Sequence, residues 1–501
     1  MSVFSHLPLG QRIPPSIHGV SCSLPTMRDV IGYEEKNPET LRHLSSGYPR
    51  FVVHPYVVQL TRHLADRIGL GGRTFWLTSS ARAAAGLAAH LGAGAEVHRE
   101  DGLHGVSHPA DPDRHALAKS YLQHTGSFLS SREAEDHLVR LCLLERRAPE
   151  EVVIDDPAGV VRTVLRRAYP GTNDADLILS HTGMSAFYAA WRALAGLQAA
   201  RGRTVWIQLG WLYLDTTALL RKFAAAPGDF VFLGDVHDLA AVERVLTEQA
   251  GRVAGIVTET PTNPLVQTPD VPALAALARK HGARVILDPT FVSPFNVNVL
   301  DHADVVVNSL TKYSASEGDL IAGAIVINPA GPDAAALRAA CSATAEPLYD
   351  RDLGRLAAQI GDYEAVIART NETAPRVVDF LRGHPHVREV FWSLHPASRD
   401  HYLKIARSPA HVGSMISFTV RGPVAAFYDR LRLPKGPSFG MKTTLLCPFI
   451  YLAHYDLVTS EAGRRQLAAS GLDPELLRLA LGCEPADDII ATLKEALDAA
   501  G

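Results

Sequence analysis

The chain has 501 residues, 47% of them apolar and 20% charged. This is ordinary globular composition, with material for about two to four domains and a large core. Its 49 Lys and Arg against 53 Asp and Glu give a net charge of −4, which leaves no overall basic footprint for nucleic acid or an anionic membrane. Cys22, Cys142, Cys341, Cys447 and Cys483 lie far apart, with no CxxC pair and no Cys/His zinc spacing, an odd and scattered set that fits a reducing compartment.

The N-terminus, MSVFSHLPLGQRIPPSIHG, carries prolines and histidines where a signal peptide has its apolar segment. No run reaches the roughly 18 apolar residues a membrane span needs. A cytoplasmic location with no membrane contact is the expectation. Residues 1–72 read as an N-terminal arm that ends in an amphipathic helix within YVVQLTRHLADRIG. Residues 73–172 read as a helix-rich insert: a short strand, a turn and an alanine-rich helix come first, then a charged, helix-prone stretch from about His98 to Tyr169. REAEDHLVRLCLLERRAPEE is its clearest helix. His104 and His108 in DGLHGVSHP are expected on a surface loop rather than on a metal.

From Ala175 strands and helices alternate. DLILS, TVWIQLG, DFVFLG, VAGIVTE, ARVILD and DVVVNS are strands, with helices such as DLAAVERVLTEQAG and VPALAALARKHG between them. Apolar strands in regular β–α alternation predict a parallel sheet covered on both faces. Residues 173–330 would form this large domain. Long helices near Pro332–Leu353 and Ala358–Arg382 would lead into a smaller C-terminal α/β domain, the two together spanning 331–501 and containing the strand SMISFTVRG and a final helix.

Ligands of open parallel sheets bind beyond the carboxyl ends of the strands. Four turns are expected there together: His181 to Met184, Glu259 to Pro264, Asp288 to Thr290, and Ser309 to Lys312. Gly183 and Met184 open a helix straight after a strand, which makes either an anion site or a simple tight junction. Asp288 ends one strand and Lys312 follows another. Taken singly they read as a cap or a salt bridge. Taken together they match the needs of a pyridoxal phosphate (PLP) enzyme, a lysine to hold the cofactor and an aspartate to keep its pyridine nitrogen protonated. Ser309 and Thr311 precede the lysine and offer hydroxyls for a phosphate.

ETPTNP, then DPTF, then NSLTKY resemble the E-x-P-[ST]-N-P, D-N-T-F and S-x-T-K-Y motifs of the cystathionine synthase/lyase family, the Cys/Met-metabolism PLP enzymes. HTGMSA is similar to that family's phosphate turn. HGVSCSLPTMRDVIGYEE, GYPRF and GPSFGMKTTLLCPFIYLAHYD resemble the long fungal-type cystathionine γ-synthases. The resemblance implies PLP fold type I, aspartate aminotransferase-like, in a homodimer or homotetramer. It implies Lys312 as Schiff-base lysine and proton shuttle, Asp288 as pyridinium partner, and Asn263 on the phenolic oxygen. Gly183, Met184, Ser309 and Thr311 would form the phosphate cup, Thr290 would join the cofactor site, and Tyr213 would stack on the ring. Tyr48 and Arg50 would reach the phosphate from a neighbouring subunit. Arg478 and Ser438 would take the substrate's α-carboxylate.

Three positions depart from the pattern. Asp215 stands where the family has glycine, and Ser316-Glu317-Gly318-Asp319 replaces G-H-S-D. Thr443 replaces an acidic residue, with Met441 and Lys442 new beside it. The implied chemistry is γ-replacement or γ-elimination on an L-amino acid. The leading reading is cystathionine γ-synthase, joining an O-acylhomoserine to cysteine. Its rival is a γ-lyase of specialised metabolism, such as one expelling halide from a γ-chlorinated unsaturated amino acid to leave propargylglycine. A cofactor-free, partner-binding paralogue is the distant third.

Overall fold

The computed structural model describes residues 4–45, 47–48 and 52–500. Its strands, in chain order, are β1 (Arg12–Ile13), β2 (Ser21–Cys22), β3 (Arg73–Thr78), β4 (Glu96–Glu100), β5 (Leu103–Pro109), β6 (Leu177–Ser180), β7 (Val205–Leu209), β8 (Phe230–Leu233), β9 (Val253–Glu259), β10 (Arg284–Asp288), β11 (Val305–Ser309), β12 (Gly323–Ile327), β13 (Val387–Phe391), β14 (Met415–Val420), β15 (Leu445–Pro448) and β16 (Leu477–Ala480).

The apolar strands from β6 onward build one seven-stranded sheet in the order β6-β12-β11-β10-β9-β7-β8. β8, β7, β9, β10 and β11 run parallel, and β12 returns antiparallel between β11 and β6. Every residue of β7, β9 and β12 is buried, as expected where helices cover both faces. Because β12 is antiparallel, its first residue pairs with the last residues of both neighbours, Gly323 opposite Ser309 and opposite Ser180. The turn after β6 and the turn after β11 are thereby brought side by side. A Cβ at Gly323 would lie 2.3 Å from the Thr182 carbonyl oxygen and 2.8 Å from the Gly183 nitrogen, so a side chain there would hold the two turns apart.

A second sheet, β13-β14-β16-β15, is antiparallel. It shares a core with the helices Tyr363–Gly383 and Ala486–Ala500. The segment expected as an arm packs into this same core through Cys22, Leu24, Met27, Val30 and Tyr33. Its backbone is pinned by Leu24 N–H to the Lys435 carbonyl at 2.9 Å and by Val20 N–H to the Gly318 carbonyl at 2.9 Å.

Residues 98–109 differ from the helix-prone reading. They belong to the β4–β5 hairpin, which pairs with β3 in an antiparallel sheet. His108 is accordingly buried in a strand and not on a surface loop. The Trp76 indole N–H faces its Nε2 at 3.2 Å, and its Nδ1 lies 2.7 Å from the Pro109 carbonyl, so both ring nitrogens are already engaged. The alanine-rich helix Ala81–Leu91 falls where the pattern placed it, whereas the helix expected over REAEDHLVRLCLLERRAPEE runs only through Ser131–Arg140, and the chain beyond it turns. No helix among the described residues is long and apolar enough to cross a membrane.

Candidate active site

All four strand-end turns open into one cavity of about 250 Å³ at the carboxyl edge of the large sheet. The 17-residue helix Gly183–Ala199 begins there. Its cap is reciprocal: the Thr182 hydroxyl accepts from Ser185 N–H at 2.9 Å, and the Ser185 hydroxyl accepts from Thr182 N–H at 2.8 Å. That satisfies the third amide of the first turn and leaves those of Gly183 and Met184 at the positive end of the helix dipole. Ser309 faces them so closely that a Cβ on Gly183 would lie 2.9 Å from the Ser309 Cβ and 3.0 Å from its Oγ. Gly183, Met184 and Ser309 therefore form a compact donor cradle. Thr311 lines the same cavity, yet its hydroxyl is tied to both backbone groups of Ala322, at 3.2 and 3.1 Å.

Asp288 ends β10 with its remaining exposure directed into the cavity. Burial pushes its carboxyl up to about 6, against the pull of the Thr290 hydroxyl and amide and the charge of Lys312. Thr290 donates its N–H to Asp288 Oδ1 at 2.8 Å, and its hydroxyl oxygen accepts from Asn308 Nδ2 at 3.1 Å and Ser309 N–H at 2.9 Å. Thr290 thus fixes the aspartate against β11 rather than standing free in the cavity.

Lys312 Nζ bonds to Tyr48 Oη and lies 3.4 Å from Ser438 Oγ, and Tyr48 Oη and Ser438 Oγ are 2.9 Å apart. The Phe439 ring sits beneath the ammonium, 4.7 Å from its centroid. Tyr48 makes these contacts within a single chain, where the expectation was a reach from a neighbour. Arg50 lies outside the described residues. Ser438 holds φ at +103°, a conformation costly for a residue with a side chain. This turn aims its hydroxyl at Lys312 and its carbonyl at Arg478 Nη2, 3.1 Å away.

Arg478, on β16, is only 5% exposed. Its Nη1 donates to Asn263 Oδ1 at 3.2 Å, its guanidinium lies over the Phe449 and Phe439 rings, and its Nε has no hydrogen-bond partner. Among the described residues no carboxylate closes a salt bridge to it. A buried guanidinium in that condition is built for an incoming anion. Tyr213 caps the helix Leu214–Phe223 at the cavity wall, and its N–H donates to Glu259. Asp215, the departure from glycine, is buried beside it and accepts from Gln123 Nε2 at 2.7 Å.

Phe439, His18 and Ser131 also line this site, and none was singled out in the sequence; Glu259 was placed at a strand-end turn but given no role. Glu259 stands at the head of the ETPTNP motif, which was the signal for it. Burial, and then the nearby Asp288, push its carboxyl well above the usual range. Two of the residues that depart from the family pattern lie away from the cavity. Lys442 turns outward to Glu317 at 2.6 Å and Asp362 at 2.7 Å, and Thr443 is not part of the cavity wall. Val20, Val52, Val57, Leu129, Leu320 and Phe449 give the wall much of its apolar surface.

Residues 171–498 match the family model described as Cys/Met metabolism PLP-dependent enzyme. The chain is 41% identical over 490 residues to an L-2-amino-4-chloropent-4-enoate dechlorinase/desaturase of Streptantibioticus cattleyicolor, covering 98% of each chain. It is 32% identical over 340 residues to the cystathionine γ-synthase of Neurospora crassa, covering 67% of this chain and 54% of that one. Among solved structures, the cystathionine γ-synthase of Xanthomonas oryzae pv. oryzae in complex with cystathionine superposes with a TM-score of 0.58 at 25% identity, covering 67% of this chain and 84% of that chain. The large mostly parallel sheet with its smaller antiparallel companion is the PLP fold type I architecture expected from the motifs.

Proposed function

The chain belongs to the Cys/Met metabolism PLP-dependent enzymes, and on that footing we propose that it expels a leaving group from Cγ of an L-amino acid, the preferred substrate being a γ-chlorinated unsaturated one. The residues present suit the cofactor. The Gly183–Met184–Ser309 cradle offers amide and hydroxyl donors for a phosphate, Asp288 offers a buried carboxylate for a protonated pyridine, and Lys312 would hold the cofactor covalently. Asn263 and Tyr213 would flank the ring. When bound, PLP supplies an electron sink for negative charge that develops at Cα.

The chain's own residues do the rest. Arg478 pairs with the α-carboxylate through the guanidinium edge left without a partner, and Ser438 supports it through its carbonyl. That pairing turns the Cα–H and Cβ–H bonds toward Lys312. Lys312 takes the Cα proton and, once it has passed that proton on and is a neutral amine again, takes a Cβ proton, with Tyr48 and Ser438 placed to accept hydrogen bonds from its ammonium and fix its direction. The apolar wall excludes water from the site while the Cγ substituent departs.

The observation that carries the choice of substrate is the wall itself. Thr443 is not part of it and Lys442 is ion-paired outside, and valines, leucines and Phe449 make much of the remaining wall apolar. Such a wall suits an uncharged C5 side chain better than a second zwitterion. Holoenzyme supplied with 2-amino-4-chloropent-4-enoate is expected to release chloride stoichiometrically with an alkyne-bearing amino acid. The second reading, cystathionine γ-synthase, is favoured by the Neurospora crassa relative. O-succinylhomoserine giving cystathionine only when cysteine is present, with no chloride release from the chlorinated substrate, would select it instead. A homodimer or homotetramer is the assembly proposed from family resemblance, to be read by analytical ultracentrifugation.

A further inference from the structure

The proposed dechlorination has a proton account that Lys312 alone does not complete. Chloride leaves Cγ with its bonding pair, and one hydrogen leaves the terminal carbon as a proton. The pair from that C–H bond becomes the second π bond. Cα and Cβ end with the hydrogens they began with, so the two positions that Lys312 serves show no net change. The hydrogen that is lost comes from a carbon farther out along the side chain, and something there must take it.

The cavity wall holds one hydroxyl–imidazole–carboxylate chain. Ser131, at the start of the helix Ser131–Arg140, has its Oγ 2.9 Å from His18 Nδ1. His18 Nε2 lies 3.2 Å from Glu135 Oε2, one turn further along the same helix. Ser131 and His18 both line the cavity, and the side chains of His18 and Glu135 are 1% and 0% exposed. With Nε2–H turned to the carboxylate, Nδ1 is the free base toward the hydroxyl, the arrangement by which a serine is made to accept and pass a proton.

The surroundings hold this chain in place. Glu135 also accepts from Arg351 at 2.5 Å and from Ala148 N–H at 2.9 Å. His54 stacks on His18 with centroids 5.7 Å apart, and its own Nε2 is 2.9 Å from the Ile17 carbonyl. Val20 N–H to the Gly318 carbonyl, and Arg132 Nη1 to the Asp319 carbonyl at 2.9 Å, fasten both sides of the group to the turn that follows Lys312. Packing alone does not call for a buried imidazole between a serine and a glutamate at a cavity wall, since an apolar side chain would fill that space with no polar groups to satisfy.

We propose that Ser131 is the catalytic group that removes the terminal-carbon proton, passing its own proton to His18, with His18 and Glu135 as positioning residues. The C–H bond breaks toward Ser131 Oγ, the Ser131 O–H proton moves to His18 Nδ1, and Glu135 holds the resulting imidazolium until it returns the proton to solvent after product leaves. The inference rests on the chlorinated substrate being the right one.

The test uses holoenzyme, the chlorinated substrate in protonated form and deuterated at both terminal hydrogens, and two readouts: alkyne formation, and exchange of the Cα hydrogen in D2O. For Ser131→Ala and His18→Asn, alkyne formation is expected to fall by about 100-fold or more while Cα exchange stays within a few-fold of wild type. The isotope effect of the deuterated carbon is expected to increase in both. Retained Cα exchange shows that the variants are folded and loaded. Equal loss of both readouts, an unchanged isotope effect, or undiminished alkyne formation in Ser131→Ala would overturn the relay while leaving the dechlorinase reading in place. Wild-type holoenzyme that exchanges Cα but never releases chloride overturns both.

Discussion

Two residues at the mouths of adjacent strands carry different burdens, and substitutions separate them. Lys312 contacts both Tyr48 and Ser438 and, as an amine, can carry a proton between them and the substrate. Lys312→Ala should lower Cα exchange by at least about 10⁴-fold and abolish the visible absorbance of lysine-held cofactor, both read on the same purified sample. Asp288 acts through its environment. Burial raises its carboxyl from 3.8 to about 6 in the cofactor-free protein, so the folded chain binds this proton more tightly than the unfolded chain does. Its contribution to stability is therefore fully present below about pH 4 and is lost as pH rises through 6. Asp288→Asn removes that slope. The cofactor-free variant should gain on wild type by about 1–3 kcal/mol between pH 4 and pH 7, measured by urea unfolding at each pH, although the same variant binds PLP poorly. Arg478 is a buried guanidinium with no carboxylate partner among the described residues. Arg478→Lys keeps that charge but loses the planar fork, and should raise KM for the amino acid by about 10–100-fold with a smaller change in kcat, seen in steady-state kinetics.

At the scale of elements, the helix Gly183–Ala199 and the antiparallel strand β12 make the phosphate end, because β12 sets the turns after β6 and β11 against each other. Gly183→Ala places a methyl group 2.9 Å from Ser309. The turn must open by several tenths of an ångström, and affinity for PLP should fall by about tenfold or more, at unchanged helix content, in equilibrium dialysis with far-UV circular dichroism. Strands such as VAGIVTE were legible because they are buried on both faces, so the run of apolar residues is itself the signal. Their terminal polar residues then marked the site. The β4–β5 hairpin was not read, for the opposite reason: β4 is an exposed edge strand, EVHRE, with no apolar alternation. Its real signature was the Asp101-Gly102 pair, both at positive φ, +51° and +84°, which is the dipeptide of a tight hairpin turn. The serine–histidine–glutamate chain was out of reach because His18 meets partners 113 and 117 residues away, and nothing local in the sequence signals such a meeting.

For the whole molecule, the question is what keeps the N-terminal segment, the insert and the large domain at fixed distances around one cavity. Arg132 answers much of it. It is 1% exposed and spans three parts of the chain: Glu150 in the insert at 2.8 Å, the Asp319 carbonyl beyond Lys312 at 2.9 Å, and Asp352 on the helix Asp350–Gln359 at 3.1 Å. Ser130, just before it, also bonds to Asp352. Burial works to raise the Glu150 carboxyl, but the Arg132 hydrogen bonds and charge outweigh it and hold the carboxyl below its usual range; Asp319 is lowered likewise, with Arg132 and Arg355 opposing burial. Removing the guanidinium leaves these carboxylates buried with a charge missing, a change that costs about 3–5 kcal/mol in comparable clusters. Groups held low stabilise the fold above the pKa of the unfolded chain, and that stabilisation is lost as pH falls through the folded value. Arg132→Met should therefore unfold at distinctly lower urea than wild type at pH 7, and the gap should narrow towards pH 4 as the stranded carboxylates take up protons. A gap that stayed constant across that range would mean that the side chain acts by filling space. Because Ser131 and Glu135 lie on the helix that Arg132 anchors, the same variant should also lose alkyne formation more steeply than Cα exchange, since Lys312 follows β11 of the large sheet and is not carried on that helix.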